Sequence, residues 1–113
     1  MTIVSTENAE HYFWGIRCDG WHLVHTEHLS VIQERVPSGS GEVRHYHTKS
    51  EQFFYVLSGI ATLEIEGIIV LLKSHEGVSV LPKQVHQLRN QHSEDLIFLV
   101  ISTPPSHSDR VEA

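Results

Sequence analysis

The stretch HYHTKSEQFFYVLSG, residues 45–59, combines two histidines one residue apart, a carboxylate beside an amide, an aromatic run and a closing glycine. Alternate residues of an extended chain project from one face, so His45 and His47 can both reach one ion. Adjacent residues project from opposite faces, so Glu51 and Gln52 cannot both face that ion. A His-x-His pair alone is weak evidence, but imidazole is a common ligand of transition metals. The stretch therefore predicts a metal site on strands, with its fourth ligand still to be decided.

The residues on either side of this stretch have the pattern of short strands separated by turns. Ala61, Leu63 and Ile65 alternate with polar residues, which is the period of a half-buried strand, and Glu66-Gly67 suits a two-residue hairpin turn. We expect the first twenty residues to wrap the core or to hold a short helix. Further strand candidates are residues 29–36, 68–73, 77–82 and the apolar run 96–102, which we expect to be buried on both faces. This spacing predicts an all-β sandwich or barrel.

Length and charge limit the function classes. The chain of 113 residues has room for one domain, and its 8 basic against 14 acidic residues give a net charge of -6. This balance argues against a nucleic-acid partner, and no long apolar run or basic amphipathic stretch indicates a membrane partner. With no apolar signal region at the N-terminus and Cys18 as the only cysteine, we expect a cytoplasmic protein without an internal disulfide.

Two motifs resemble those of the cupins. GSGEVRHYHTKSEQFFYVLSG, residues 39–59, is similar to the first cupin motif, in which a glycine precedes His-x-His by five residues and a glutamate and a glycine follow. EGVSVLPKQVHQLRN, residues 76–90, is similar to the second motif, which ends in a histidine and, four positions later, an asparagine. The chain thus resembles a small single-domain cupin of the conserved cupin-2 barrel family. The likeness covers roughly residues 28–102.

The resemblance implies a double-stranded β-helix, or jelly-roll barrel, of two antiparallel sheets with one divalent ion in its mouth. In that family the ion is bound by the two histidines and the glutamate of the first motif and by the histidine of the second. By position, the three imidazoles are those of His45, His47 and His86. We expect residues 1–27 to form an N-terminal extension that packs on the barrel, 28–102 to form the barrel, and 103–113 to form a C-terminal tail.

The second motif departs from the cupin pattern at three turn positions. His75 and Lys83 stand where glycine is usual, and Leu81 stands where proline is usual. We expect these departures to alter the shape of the loops more than the set of ligands.

The choice of Glu51 or Gln52 as the fourth ligand depends on whether residues are counted forward from His47 or back from Gly59. Three residues separate His47 from Glu51, as the cupin pattern allows, whereas six residues separate Gln52 from Gly59. In the strand before Gly59, side chains alternate between the two faces, so the distance from Gly59 determines which residues point inward. The short loop after His47 can accommodate one extra residue. Strand period therefore favours Gln52, with Glu51 pointing away. The expected metal ligands are His45, His47, Gln52 and His86.

A neutral amide ligand changes the net charge of the metal site. A glutamate would cancel one unit of charge, whereas glutamine leaves the ion at its full +2, which makes it a stronger Lewis acid. The same ligand set favours zinc, nickel, copper or iron over manganese or magnesium.

Three function classes stay open at this level. The favoured one is a metalloenzyme acting on a small organic molecule by non-redox chemistry such as isomerisation, elimination or cyclisation, with Glu51 or a metal-bound hydroxide as the catalytic base. The alternatives are a non-catalytic barrel that binds a small molecule such as a sugar, and a metal-dependent dioxygenase. Because cupins commonly pair through their edge strands and apolar patches, we also expect a homodimer.

Overall fold

The computed structural model describes residues 2–113 and contains eleven strands among them. The strands are β1 (Glu10–Trp14), β2 (Cys18–His25), β3 (Ser30–Val36), β4 (His45–His47), β5 (Glu51–Ser58), β6 (Ala61–Ile65), β7 (Ile68–Leu72), β8 (Gly77–Val80), β9 (His86–Arg89), β10 (Leu96–Thr103) and β11 (Arg110–Glu112). Within residues 2–113 we find no helix with the length and apolar character needed to cross a membrane.

The strands form two antiparallel sheets. One has six strands in the order β1-β2-β3-β10-β5-β8, and the other has five in the order β11-β4-β9-β6-β7. Neighbouring strands in each sheet are often distant in sequence, since β3 pairs with β10 and β4 pairs with β9. This arrangement confirms the predicted all-β double-stranded β-helix.

The two ends of the chain add strands to opposite sheets. We expected the first twenty residues to wrap the core or to hold a short helix. Residues 10–25 instead form β1 and β2 and extend the six-stranded sheet beyond β3. Residues 110–112 form β11, which pairs with the short strand β4 in the other sheet. Both terminal segments therefore lie against strands that hold residues of the first motif or precede it directly.

Alternation along each strand determines which side chains enter the core. On β5, Phe54 and Val56 are buried while Phe53 is exposed, so the even-numbered residues face inward. The run 96–102 differs from the expectation of burial on both faces, because only its alternate residues are fully buried on β10. That pattern is the one expected of an antiparallel sheet with a single packed face.

Several turns require a left-handed backbone. The hairpin between β6 and β7 has positive φ at Glu66 and Gly67, 50° and 84°, as a two-residue turn of the predicted kind needs. His75 and Lys83 also have positive φ, 68° and 70°. These are the two positions at which the cupin pattern has glycine, so the turns keep a glycine-like conformation despite the side chains, at some cost in strain.

The turn after β5 leaves no room for a side chain at Gly59. Its φ is +87°, and an added Cβ would lie 2.5 Å from the carbonyl oxygen of Asp95 and 3.0 Å from the Cα of Leu96. Gly67 has nearly the same φ, +84°, but open space around it. We expect Gly67→Ala to lower the free energy of unfolding by about 1–2 kcal/mol, and Gly59→Ala by about 3 kcal/mol or more, because a backbone clash adds to the strain. Urea denaturation measures both values, and equal losses would contradict this packing.

Candidate metal centre and cavity

Three histidines meet where the two motifs pair. His45 and His47 lie on β4, and His86 begins β9, directly opposite His45 in the antiparallel register. Their ring centroids are 4.4 Å apart for His45 and His86, 4.9 Å for His45 and His47, and 5.7 Å for His47 and His86. One ligand atom from each ring lies within 4.8 Å of the others. The cluster could therefore bind a metal ion.

Backbone hydrogen bonds orient two of the rings. The Nδ1 atom of His45 lies 2.7 Å from the carbonyl oxygen of Val43, and that of His86 lies 3.0 Å from the carbonyl oxygen of Gln84. An Nδ1–H that donates to a carbonyl leaves Nε2 with its lone pair free, which is the tautomer that a metal ligand needs. Within the described residues 2–113, the buried Nε2 of His86 and both ring nitrogens of His47 have no hydrogen-bond partner.

The loops beside β4 are held by backbone contacts. The amide of Lys83 donates to the carbonyl oxygen of His47 at 2.6 Å, so the turn with the left-handed Lys83 supports the strand that presents two of the rings. On the other side, the Asp109 carboxylate accepts from the amides of Thr48, Lys49 and Ser50. These bonds, together with one from the Thr48 hydroxyl, lower the pKa of Asp109. The loop between β4 and β5 is thus closed by a residue from the C-terminal segment.

Burial keeps the three imidazoles neutral. Desolvation is the main cause that lowers the pKa of His45 to about 3, and it also lowers the pKa of His47 and of His86. The charges of the neighbouring rings and of Arg110 act in the same direction on His45. Neutral imidazole is the form that binds a metal, so at neutral pH the cluster needs no deprotonation before it can act as a ligand set.

Gln52 enters the cavity from the opposite sheet. Its side chain is buried on β5, and its Nε2 donates to the hydroxyl of Ser102 at 3.1 Å and to that of Ser106 at 3.4 Å. These two bonds use the amide nitrogen, and the buried Oε1 has no partner in the part of the chain that the structure describes. Gln52 therefore presents a free carbonyl oxygen to the cavity that His45 and His47 also line.

The structure places Glu51 away from the histidines. It is exposed on the outer face of β5, because neighbouring residues of a strand project to opposite sides. A carboxylate in that position does not reach the cavity, so the catalytic role expected of Glu51 has no support in this geometry.

The cavity beside the histidines has a volume of about 200 Å³ and an unusual set of charged groups. Glu34 on β3 and Glu42 in the loop before β4 line it, together with Arg110 of β11. Burial is the main cause that raises the pKa of Glu34 to about 7 and that of Glu42 to about 8, and the charge of Glu34 raises the latter further. The remaining walls are largely aromatic and aliphatic: Tyr12, Trp14, Ile32, Phe54 and Val100.

Sequence reasoning identified the histidines but missed part of this cavity. No motif marks Tyr12, Glu42 or Arg110, and Glu34 lies on the strand predicted before the first motif. Strand period could have placed Glu34 inward, because Val36, two residues along, is fully buried and apolar. No signal in the sequence places Arg110, since its position depends on the pairing of β11 with β4.

Two arginines near the first motif, Arg35 and Arg44, do not line the cavity. Arg35 bonds to Asp19 and Asp95, and Arg44 forms a two-point contact with Glu64. Both therefore act within surface ion pairs.

Comparison with known proteins identifies the family of this chain. Residues 32–102 match the family described as the cupin domain. The chain is 31% identical over 81 residues to an uncharacterized protein of Methanocaldococcus jannaschii, an alignment that covers 71% of this chain and 65% of that protein. The chain thus spans less than two thirds of the length of that relative.

Solved structures share the fold at low sequence identity. KdgF from a Halomonas species superimposes with a TM-score of 0.86 at 16% identity, over 96% of this chain and 97% of its own. The polyketide cyclase RemF from Streptomyces resistomycificus gives a TM-score of 0.86 at 15% identity, over 100% of this chain and 85% of its own. At these identities the likeness concerns the fold.

Glu42 makes the stability of the protein depend on pH. Its pKa in the folded protein, about 8, lies above its ordinary value of 4.5, so the folded protein keeps a proton that the unfolded chain releases. This stabilisation is lost as the pH rises through about 8. We expect the free energy of unfolding of the wild type to fall by up to about 1.4 kcal/mol more than that of Glu42→Gln between pH 7 and 9. Urea titrations measure it, with exposed Glu94→Gln as the control, and parallel profiles for wild type and Glu42→Gln would contradict it.

Proposed function

The chain belongs to the cupin domain family, and from that premise we propose that it is a metal-dependent enzyme that converts a small organic molecule by non-redox chemistry. The proposal depends on one observation. Among residues 2–113, both ring nitrogens of His47, the Nε2 of His86 and the Oε1 of Gln52 are buried without a hydrogen-bond partner, and they come from three strands of both sheets. A folded protein rarely leaves several buried polar atoms unpaired unless something binds there.

The donor set fits a divalent transition metal. We propose that the ligands are His45, His47, His86 and Gln52, which offer three neutral imidazole nitrogens and one amide oxygen. A metal ion held by four such residues would supply Lewis-acid polarisation of a substrate oxygen. None of the four ligands carries a charge, which favours zinc, nickel or iron over manganese.

The residues of the chain have separate tasks in this proposal. The hydrogen bonds from His45 and His86 to backbone carbonyls hold the rings in one tautomer, and those from Gln52 to the serine hydroxyls aim its oxygen inward. The aromatic and aliphatic walls limit the water that reaches the substrate, which strengthens electrostatic interactions inside the cavity.

The size of the cavity limits the substrate. About 200 Å³ admits a small molecule, or the reacting end of a longer one, beside the histidines. A larger open groove lies outside, and His107 lines both the groove and the cavity. A substrate with a small reacting group and a polar remainder fits this arrangement.

The name of one structural neighbour agrees with the reaction class. RemF is a polyketide cyclase, and cyclisation is one of the non-redox reactions that a neutral-ligand Lewis acid would serve. This agreement concerns that protein, and it supports the class of reaction proposed here without identifying a substrate.

Metal affinity distinguishes the two neighbours on β5. We expect Gln52→Ala to weaken the binding of zinc or nickel by about 10- to 100-fold and His86→Ala to abolish tight binding, because each removes a proposed ligand. Glu51→Ala should bind as the wild type does, since its side chain lies outside the cavity. Isothermal titration calorimetry measures all four proteins. The ligand set would be refuted if Glu51→Ala lost affinity while Gln52→Ala kept it.

Proton exchange tests the reaction class. We expect the zinc- or nickel-loaded protein to catalyse exchange of the hydrogen next to the carbonyl group in at least one member of a panel of small hydroxyketones, ketose phosphates and 2-oxo acids in D2O. Proton NMR follows the loss of the C–H signal, with metal-free His47→Ala as the blank. Absence of exchange at full metal occupancy across the panel would argue for a non-catalytic binding barrel, and oxygen consumption by the iron-loaded protein would argue for a dioxygenase.

A further inference from the structure

A tyrosine and a glutamate are joined across three neighbouring strands of the six-stranded sheet. In the antiparallel register, Tyr12 of β1 lies opposite Gly20 of β2, and Gly20 lies opposite Glu34 of β3. Tyr12 and Glu34 are therefore two strands apart. Even so, the Tyr12 hydroxyl donates to Oε2 of Glu34 at 3.0 Å.

Gly20 makes this hydrogen bond possible. An added Cβ at Gly20 would meet the ring of Tyr12 and lie 2.5 Å from its hydroxyl oxygen. The tyrosine ring thus occupies the space in which any other residue at this position would place its side chain. Its face is also in contact with His22, with ring centroids 5.0 Å apart. The missing side chain on the middle strand opens a slot for a phenol group from the edge strand.

Glu34 faces the cavity of the metal centre. It lies on the same face of β3 as Ile32, and both line the cavity together with His45, His47 and Gln52. Its neighbour Arg35 points to the other face, where it pairs with Asp19. Tyr12 bonds to one carboxylate oxygen, Oε2, and among residues 2–113 the other oxygen of Glu34 makes no hydrogen bond. One carboxylate oxygen is therefore anchored, and the other is available to a molecule in the cavity.

We propose that Glu34 is the catalytic residue that removes a proton from the substrate and returns it, and that Tyr12 is a positioning residue that anchors the carboxylate. This inference rests on the proposed function. It replaces Glu51 as the base with a residue that the sequence motifs do not mark.

The step is a balanced proton transfer. The C–H bond next to the substrate carbonyl breaks, its electron pair moves toward the carbonyl as the enolate forms, and the proton joins the free oxygen of Glu34. For exchange, the proton on the neutral carboxylic acid is first replaced by a deuteron from the solvent, which then adds to the same carbon. For isomerisation of a hydroxyketone, the acid returns its proton to the former carbonyl carbon, while the hydroxyl proton of the substrate moves to the enolate oxygen. No oxidant, reductant or second substrate is needed.

The environment of Glu34 suits such a role. Burial raises its pKa to about 7, while the hydrogen bond from Tyr12 and the charge of Arg110 act in the opposite direction. A base with a pKa near the working pH can both take and return a proton efficiently. The other titratable or charged groups that line the cavity are Tyr12, Glu42, His45, His47, His107 and Arg110.

Glu42 is a less suitable base at pH 7, because burial and the charge of Glu34 raise its pKa to about 8 and so keep most of it protonated. Its Oε1 accepts from the amide of Leu88 at 2.9 Å, which ties the carboxylate to the backbone of β9. It therefore serves mainly to join the loop before β4 to the second motif.

The exchange assay with the metal-loaded protein tests the inference. At equal zinc occupancy and equal thermal midpoint we expect Glu34→Gln to slow exchange by at least about 100-fold. Tyr12→Phe keeps the ring over Gly20 but loses the hydroxyl, so we expect about a tenfold loss at pH 7. Exposed Glu94→Gln serves as the control and should match the wild type. Exchange by Glu34→Gln at the rate of the wild type would overturn the proposal.

The pH profile separates positioning from mere packing. The rate of the zinc-loaded protein should rise with pH and then level off, because the base acts in its ionised form, and the midpoint should lie below about 7 because the cation lowers the pKa of Glu34. The Tyr12 hydrogen bond lowers the pKa of Glu34, so Tyr12→Phe should move this rise to higher pH. A Tyr12→Phe profile with the same midpoint as the wild type would refute the positioning role.

A measurement without substrate keeps this test independent of the proposed function. With ¹³C-labelled glutamate, NMR follows the titration of the Glu34 carboxyl group, assigned by its absence in Glu34→Gln. Zinc should lower the Glu34 midpoint in the wild type, because a nearby cation favours the carboxylate. Were the wild type to exchange no compound, the proposed reaction would fail. A Glu34 midpoint that responds to zinc would still support its place at the centre, and one that ignores zinc would overturn the inference.

Discussion

The alternation of side chains between the two faces of each strand is the constraint on which the site depends. Two sheets pack face to face, so every strand has one inward set of residues and one outward set. On β5 this rule brings Gln52 inside with Phe54 and leaves Glu51 in solvent. On β4 it brings in both histidines of the His-x-His pair. A shift of one residue in either strand would replace these inward side chains by their neighbours.

Burial then gives these inward residues their chemical character. Imidazoles taken out of water lose their tendency to protonate, and carboxylates taken out of water hold their protons to higher pH. The cavity is therefore lined by neutral imidazole rings and by carboxyl groups with pKa values near neutrality. The cation of Arg110, on β11, lines it as well. The same desolvation that lowers the pKa of the histidines on β4 and β9 raises the pKa of Glu34 on β3. The lowered pKa values of the histidines and the raised pKa values of the carboxyl groups have the same cause, which is burial.

Local departures from the family pattern show where backbone geometry matters more than residue type. His75 and Lys83 adopt the left-handed conformation that glycine would adopt without strain. The turn at Lys83 still donates its amide to His47, so the strand that carries two imidazoles keeps its support. The departures in the second motif therefore leave the histidine cluster assembled. At Gly20 the reverse holds, because a residue that no motif marks is required by the ring of Tyr12.

The sequence by itself determined the strands of the barrel, the hairpin at Glu66-Gly67, the three histidines and the inward facing of Gln52. These features follow from period-two patterning, turn chemistry and motif spacing, which are properties of short segments. Only the tertiary structure decided that β1 and β2 extend one sheet, that Arg110 reaches the cavity through β11, and that Tyr12 crosses Gly20 to meet Glu34. Those contacts join residues far apart in the chain, and their partners depend on strand order and register, which no local pattern specifies.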